Sequence, residues 1–356
     1  TAKAEEINSF SVRLKHPYTT LYRIISRLEK NGGILSSQFG EFSLSGRKFD
    51  TKDLTAVIWL LRPELHQRVR ELGYDMLILW HSHDNHKRGT FRNLRNLDLA
   101  PVIVGSGYEL NDMGLNYRHD KVSDPVRKPC YSDGKRQEAV RDVLRKRAMD
   151  DHYNYYNVRH NFLGDELYLG STVCYSPDCL KGFRESLKKQ YENLDALNKE
   201  WNTAFKNWDE VVPCQLNELK DKNNLSRWLD HKIFMAGVFA HQYAGKTREY
   251  LNEAVPRTRF GLSGTQLPGY SYDWAQLMKH IDFIAYYGGV QAKLVHDFGG
   301  ADLISGQWGC GYVDTSVPHD QYQHALLWRN LFNGANLAAN YGAGSTINGD
   351  MSLNSN

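Results

Sequence analysis

Apolar and polar positions follow two different periods along the chain, and segments of the two kinds alternate. Continuous apolar runs such as MLIL at residues 76–79 indicate buried parallel strands, and apolar positions every three or four residues indicate amphipathic helices. Seven strands are predicted, near residues 75–80, 101–104, 160–163, 259–263, 281–287, 302–306 and 336–340. The predicted helices between them cover residues 64–72, 136–156, 180–201, 228–254, 274–280, 290–298 and 319–332.

An eighth strand is predicted at residues 34–39, after a helix over residues 20–30. Eight strands that alternate with helices predict an α/β protein with a (β/α)₈ (TIM) barrel. A barrel of this kind needs about 250 residues, so the 356 residues form one barrel domain with long loops. Residues 1–30 are then an N-terminal extension or the first helix. Whether the chain is a fragment of a longer protein stays open.

Composition excludes several classes of function. The net charge of +3 is close to neutral, which argues against a nucleic-acid partner. No apolar run is long enough to span a membrane, and no glycine-rich phosphate loop follows a predicted strand. Five cysteines in a chain of this length do not indicate a disulfide scaffold. A homo-oligomer is left open, and so is the compartment.

Polar and aromatic residues follow most of the predicted strands. In a barrel the C-terminal ends of all strands meet at one mouth, where catalytic residues lie. Aromatic faces and amides at such a mouth suit a pocket for sugars, so the expected partner is an oligosaccharide or polysaccharide. The substrate-binding residues expected from this pattern are Trp80, His81, His83, Asp165, Gln266, Tyr286, Tyr287, Trp308 and Asn340.

The stretch from Pro129 to Pro213 carries a specific resemblance. Its motifs are PCYS at residues 129–132, Asp165-Glu166 after the fourth predicted strand of the barrel, VCYSPDC at 173–179, YENLDALN at 191–198 and WNTAF at 201–205. This stretch resembles the β-galactosidases of glycoside hydrolase family 42. The resemblance implies a retaining (β/α)₈ glycosidase that cleaves β-galactosidic links in galactosides or galactans, with Glu166 as the general acid/base. Basic residues between Lys87 and Lys128 extend this expectation to sulfated galactans.

Two catalytic positions depart from the family pattern. The family has Asn-Glu at the acid/base, where this chain has Asp165-Glu166. The predicted seventh strand should end with the nucleophilic Glu, and Gln307 is the residue expected at that place. Glutamine cannot form a glycosyl ester. Either Gln307 replaces a parental Glu and traps a substrate complex, which we favour, or the protein is a non-hydrolytic carbohydrate-binding relative. A retaining barrel glycosidase with another sugar specificity is a further alternative.

The metal-binding pattern of the family is also incomplete. Family members often hold zinc with Cys-x-Cys-x-x-Cys, and here Cys174 and Cys179 keep the outer positions while Ser176 takes the middle one. Zinc normally takes four ligands, and Cys130 supplies only a third thiol. We therefore expect no cofactor and no metal, and interpret these cysteines as a vestigial site or as buried thiols.

Overall fold

A closed barrel of eight parallel strands forms the centre of the protein. The computed structural model describes residues 20–44, 54–59, 63–80, 100–104, 130–149, 160–165, 174–219, 223–265, 272–287, 290–300, 302–309 and 319–341. The barrel strands are β3 (Thr55–Trp59), β4 (Met76–Trp80), β5 (Ala100–Val104), β6 (His160–Asp165), β7 (Arg259–Thr265), β8 (Phe283–Tyr286), β9 (Ile304–Gly309) and β10 (Leu337–Tyr341). Strand β10 pairs with both β3 and β9, which closes the ring. The predicted (β/α)₈ fold is confirmed.

The N-terminal part of the prediction is wrong. Residues 20–30 form a strand, β1 (Thr20–Lys30), which pairs antiparallel with β2 (Gly33–Leu44) in a separate two-stranded sheet. Asn31 and Gly32 join the strands with φ of 51° and 79°, the left-handed backbone that a tight hairpin turn requires. The apolar residues in 20–30 have a spacing typical of a helix. The Asn31-Gly32 pair that follows them is typical of a hairpin turn, and a hairpin forms. The first barrel strand is therefore β3, not residues 34–39.

The helices lie close to their predicted positions. They are α1 (His66–Glu71), α2 (Gly134–Met149), α3 (Pro177–Gln190), α4 (Leu194–Trp201), α5 (Ser226–Val238), α6 (Lys246–Ala254), α7 (Trp274–Leu277), α8 (Val290–Gly299) and α9 (His319–Phe332). Two predicted helices are divided. Residues 180–201 form α3 and α4, because Asn193 caps a new helix, and a π-helix (Phe239–Gly245) connects α5 to α6. Among the described helices, none has the length and apolar character needed to cross a bilayer.

Alternate residues of the barrel strands belong to two different apolar layers. One layer consists almost entirely of strand residues and fills the barrel; it includes Val57, Trp59, Met76, Ile78, Phe283, Ala285, Ile304, Trp308, Leu337 and Ala339. The other lies between the sheet and the helices and includes Ile58, Leu77, Leu262, Ile284 and Tyr286 together with helix residues such as Val69 and Leu144. Successive side chains on a strand point to opposite faces. Each strand residue therefore faces either the barrel interior or the helices.

Burial of an imidazole in the helix layer makes the stability depend on pH. His66 on α1 is 1% exposed, and this burial lowers its pKa to about 4, against the opposing effect of Glu64. The unfolded chain, with a pKa of about 6.5 for histidine, binds this proton at pH 5 and the folded chain does not. Stability contributed by neutral His66 is thus present above about pH 6.5 and is lost as the pH falls towards 4.

We predict that His66→Phe makes the unfolding free energy less dependent on pH. Between pH 6 and pH 5 the slope of unfolding free energy against pH should fall by about 1.4 kcal/mol per pH unit, the contribution of one proton. Urea unfolding at several pH values measures the slope, and the unsubstituted protein is the control. An unchanged slope in the His66→Phe protein would show that this imidazole is not buried in its neutral form.

Candidate active site

The C-terminal ends of the barrel strands form the mouth at which the candidate residues were expected. Trp80 is the last residue of β4 and Asp165 the last residue of β6. Their side chains, and the whole of His81, His83, Glu166 and Gln266, lie outside the described residues. Glu166 comes directly after β6 in the chain. The structure therefore gives the strand that leads to the expected acid/base, and the roles of these residues stay predictions.

Three aromatic residues meet on the interior side of the barrel. Trp308 on β9 is 7% exposed, and its ring centroid lies 5.9 Å from that of Trp59 on β3, at an interplanar angle of 45°. Tyr287, directly after β8, packs against the same interior layer. Trp308 and Tyr287 were expected at the mouth, but Trp59 was missed. Its signal is its place at the end of an apolar strand, which was overlooked because the first barrel strand was assigned to residues 34–39.

Gln307 lies on the other side of the sheet. It is inside β9 rather than after the strand, and its neighbour Trp308 faces the barrel interior. The Oε1 atom of Gln307 accepts a hydrogen bond from Nη2 of Arg329 on α9, at 3.2 Å. The amide therefore contacts the helix layer. This contact differs from the expectation that residue 307 points into the mouth, and the catalytic role of the position stays a prediction.

Tyr286 and Asn340 also face the helices. The ring of Tyr286 is fully buried in the layer between sheet and helices, and its hydroxyl has no hydrogen-bond partner among the described residues. Burial raises the pKa of this phenol, and nearby Arg329 opposes the shift. The amide of Asn340 donates to the hydroxyl of Tyr74, which belongs to the same layer. The expected convergence of all strand-end residues on the mouth thus fails for these side chains.

Alternation along the strands explains which expected residues come together. Tyr286-Tyr287 and Gln307-Trp308 are consecutive pairs, so one member of each faces the interior and the other faces the helices. Gly306, the interior-facing residue before Gln307, has no side chain. A larger residue would not fit there, because a Cβ built on it would lie 1.8 Å from the backbone oxygen of Leu337. Strand β9 therefore presents no carboxylate, in keeping with its sequence ISGQWG.

The expected metal position is a cluster of three thiols. The sulfur atoms of Cys130, Cys174 and Cys179 lie within 4.8 Å of one another. The hydroxyl of Ser176, at the position of the missing fourth cysteine, accepts a hydrogen bond from the backbone N–H of Cys179 at the start of α3. A structural zinc ion takes four protein ligands and deprotonated thiols. Because the fourth group is a neutral hydroxyl already engaged as a helix cap, the residues present do not fit a four-thiolate zinc site.

Comparison with known proteins identifies the relationship. The family model described as β-galactosidase, that of glycoside hydrolase family 42, matches residues 126–293. The curated β-galactosidase LacZ of Heyndrickxia coagulans is 30% identical over 120 residues, which are 32% of this chain and 18% of that protein. The β-galactosidase BbgII of Bifidobacterium bifidum is 26% identical over 203 residues, 52% of this chain and 28% of that protein.

The chain is glycoside hydrolase family 42-like. Among solved structures, the β-galactosidase of Marinomonas ef1 superposes with a TM-score of 0.63 at 15% identity, over 81% of this chain and 54% of that one. The β-galactosidase of Rahnella sp. R3 gives a TM-score of 0.60 at 14% identity, over 82% and 50%. These similarities establish the barrel fold. The family-42-like chain spans about half the length of these solved enzymes and under a third of the curated relatives.

The aromatic contact inside the barrel generates a prediction about stability. Removing the buried ring of Trp308 leaves a cavity beside Trp59, and we expect Trp308→Ala to lower the unfolding free energy by about 3–5 kcal/mol. Trp328 on α9 is 58% exposed, so Trp328→Ala is the matched control, with an expected change within about 0.5 kcal/mol. Urea denaturation followed by far-UV circular dichroism measures both. Equal effects of the two substitutions would contradict the buried placement of Trp308.

Proposed function

We propose that this family-42-like barrel recognises β-galactosides and belongs to a retaining glycoside hydrolase. The observation that carries the proposal is the family-42 match over residues 126–293, which includes the strand β6 that leads directly to Asp165-Glu166. A carboxylate just after the fourth barrel strand is where such a barrel keeps catalytic groups. The buried tryptophan pair at the ends of β3 and β9 supports a sugar-binding mouth, since aromatic rings line carbohydrate pockets.

The proposed chemistry requires two carboxyl groups. Glu166 would protonate the glycosidic oxygen and then, as a base, activate the water that releases the sugar. The second carboxylate would attack the anomeric carbon from about 5–5.5 Å away, the separation that retention requires. In this chain residue 307 is an amide, and β9 contains no acidic residue. The proposal is therefore that this form binds β-galactosides without turning them over, and that Gln307 stands in for a nucleophilic Glu.

A non-hydrolytic carbohydrate-binding barrel is the second candidate. The contact of Gln307 with Arg329 supports it, because an amide held on the helix side of β9 would not reach a sugar in the mouth. If the protein is a non-hydrolytic barrel, a Glu at position 307 would form an ion pair with Arg329, and the protein would stay inactive. The two candidates thus differ in what a carboxylate at position 307 does.

The substrate is proposed at the level of β-galactosides and galactans. Lys87, Arg88, Arg92, Arg95, Arg118, Lys121, Arg127 and Lys128, the basic residues that motivate a sulfated galactan, lie outside the described residues. An exo-β-agarase and an agarase share the barrel fold, with TM-scores of 0.53 and 0.52. Agarose and a sulfated galactan therefore belong in the substrate panel beside neutral galacto-oligosaccharides. Aryl glycosides of other sugars test the alternative specificity.

Gln307→Glu is the first test of function. If residue 307 replaces the nucleophile, this substitution should convert a protein with no turnover into one that cleaves an aryl β-galactoside, because the carboxylate can form the glycosyl ester. Release of the aryl group measures turnover, and Gln67→Glu on the exposed surface of α1 is the matched control. Binding of galacto-oligosaccharide without any turnover by Gln307→Glu would favour the non-hydrolytic candidate. Loss of galactoside binding as well would remove the proposed specificity.

Glu166 can then be tested in the Gln307→Glu protein. We expect Glu166→Ala to slow substrates with poor leaving groups by about 100-fold or more, because proton donation contributes this much, and to affect activated aryl galactosides less. Azide should restore part of the turnover of the activated substrates by attacking the accumulated intermediate. Equal loss for good and poor leaving groups, without azide rescue, would argue against the acid/base role.

A further inference from the structure

The three-thiol cluster connects two separate parts of the chain. Cys130 and Ser132 lie in the turn that precedes α2, whereas Cys174, Ser176 and Cys179 lie at the start of α3. Cys174 and Cys179 are fully buried, Cys130 is half-buried, and Met235 and Phe234 of α5 pack against the group. The cluster therefore joins the start of α2 to the N-terminus of α3, in the place where the family resemblance implies a metal ion.

Ser176 lies at the centre of the contacts in this cluster. Its Oγ is 2.9 Å from Sγ of Cys130 and 3.3 Å from Sγ of Cys174, and it accepts the backbone N–H of Cys179 at 3.3 Å. A hydroxyl has one proton to donate and two lone pairs that accept. With Cys174 and the Cys179 N–H as donors and Cys130 as acceptor, all three capacities of Ser176 are used.

The remaining contacts connect Cys130, Cys179 and Ser132 within the same network. The S–H of Cys130 donates to Sγ of Cys179 at 3.5 Å, and the S–H of Cys179 donates to Oγ of Ser132 at 3.4 Å. Three thiol groups and two hydroxyls thus hydrogen-bond to one another without a cation.

We propose that Ser176 replaces the metal ion of this cluster, so that a hydroxyl-centred hydrogen-bond network joins α2 to α3 and the site binds no zinc. Zinc binds thiolates, so it would have to replace the S–H hydrogen bonds of this network. To serve as the fourth ligand, Ser176 would also have to give up its role as N-cap of α3. The inference is independent of the proposed function, because the cluster is defined by contacts between residues outside β9.

If no metal ion is bound, Cys130 carries a free thiol that is partly exposed to solvent. Cys130 is half-buried and lines a small surface pocket, whose wall also includes Arg136, Tyr243, Lys246 and Tyr250. Because part of Cys130 is exposed to solvent, a free thiol there can react with a small alkylating reagent, whereas a zinc-bound thiolate is protected. Iodoacetamide should therefore modify Cys130 in the folded protein, and adding a chelator should not change the rate. Cys130→Ser identifies the modified residue.

The decisive experiment compares the unsubstituted chain with Ser176→Cys and Ser176→Ala, all produced with zinc in the medium. Elemental analysis of the unsubstituted chain should find zinc far below one ion per chain, and its melting temperature should not change with chelator. Ser176→Cys rebuilds four thiols, so it should bind one Co(II) ion and show the absorption bands of a tetrahedral thiolate complex. Ser176→Ala should lower the melting temperature and increase the rate of Cys130 alkylation.

The matched control for the helix cap is Asn193→Ala at the start of α4, where the side chain caps Ala196 but contacts no thiol. Ser176→Ala should lower the melting temperature more than Asn193→Ala, because it removes two thiol contacts in addition to a cap. Stoichiometric zinc in the unsubstituted chain, with a melting temperature that falls on chelation, would overturn the proposal. So would folded Ser176→Cys that takes up no Co(II). If Ser176→Cys does not fold, the proposal is tested by two measurements on the unsubstituted chain, its zinc content and the rate at which Cys130 is alkylated.

Discussion

The side-chain alternation of the strands in a closed barrel is the constraint on which the rest of this structure depends. The barrel strands whose side chains are described are covered on both faces, by the opposite strands on one side and by the helices on the other. Two consecutive residues of a strand therefore have different environments: one side chain faces the barrel interior and the other faces the helices. This explains why Trp308 contacts Trp59 inside the barrel while Gln307, the preceding residue, contacts Arg329 on α9.

The same constraint bears on how the proposed chemistry can be arranged. A pocket at the mouth of a barrel receives only the interior-facing residues of each strand and the residues of the loops that follow. Glu166 belongs to the second class, because it comes after the last residue of β6. Residue 307 belongs to the strand itself, and its parity places it with Leu303 and Ser305 rather than with Ile304 and Trp308. The proposed acid/base therefore follows a strand in the chain, whereas the proposed nucleophile position lies within a strand.

The cysteine cluster shows a comparable dependence on backbone geometry. Pro177 follows Ser176 and begins α3, so the side chain at position 176 is placed to cap the helix. A serine at this place both caps α3 and contacts the thiols of Cys130 and Cys174. One change of residue type, from a thiol to a hydroxyl, thus alters the chemistry of the whole cluster while the connection between α2 and α3 is kept.

The sequence by itself determined the class of fold, seven of the eight barrel strands and the family relationship. Apolar periodicity is a local property, and it survives folding wherever a strand is buried on both faces. It was misleading for residues 20–30, where an Asn-Gly turn with positive φ makes a hairpin from a segment with helical spacing. The motifs between Pro129 and Pro213 are contiguous in the chain, so the family could be inferred without knowledge of the packing.

Only the tertiary structure decided which face of each strand meets the barrel interior. Gln307 and Trp308 are neighbours in sequence, and a register shift of one residue would exchange the faces to which their side chains point. Closure of the ring through β3 brings Trp59 to Trp308, and no local pattern relates residues 249 positions apart (308 − 59). Likewise, the contacts of Ser176 with Cys130 depend on how α2 and α3 pack, because hydrogen bonds between distant segments form only when the fold has brought their atoms within reach.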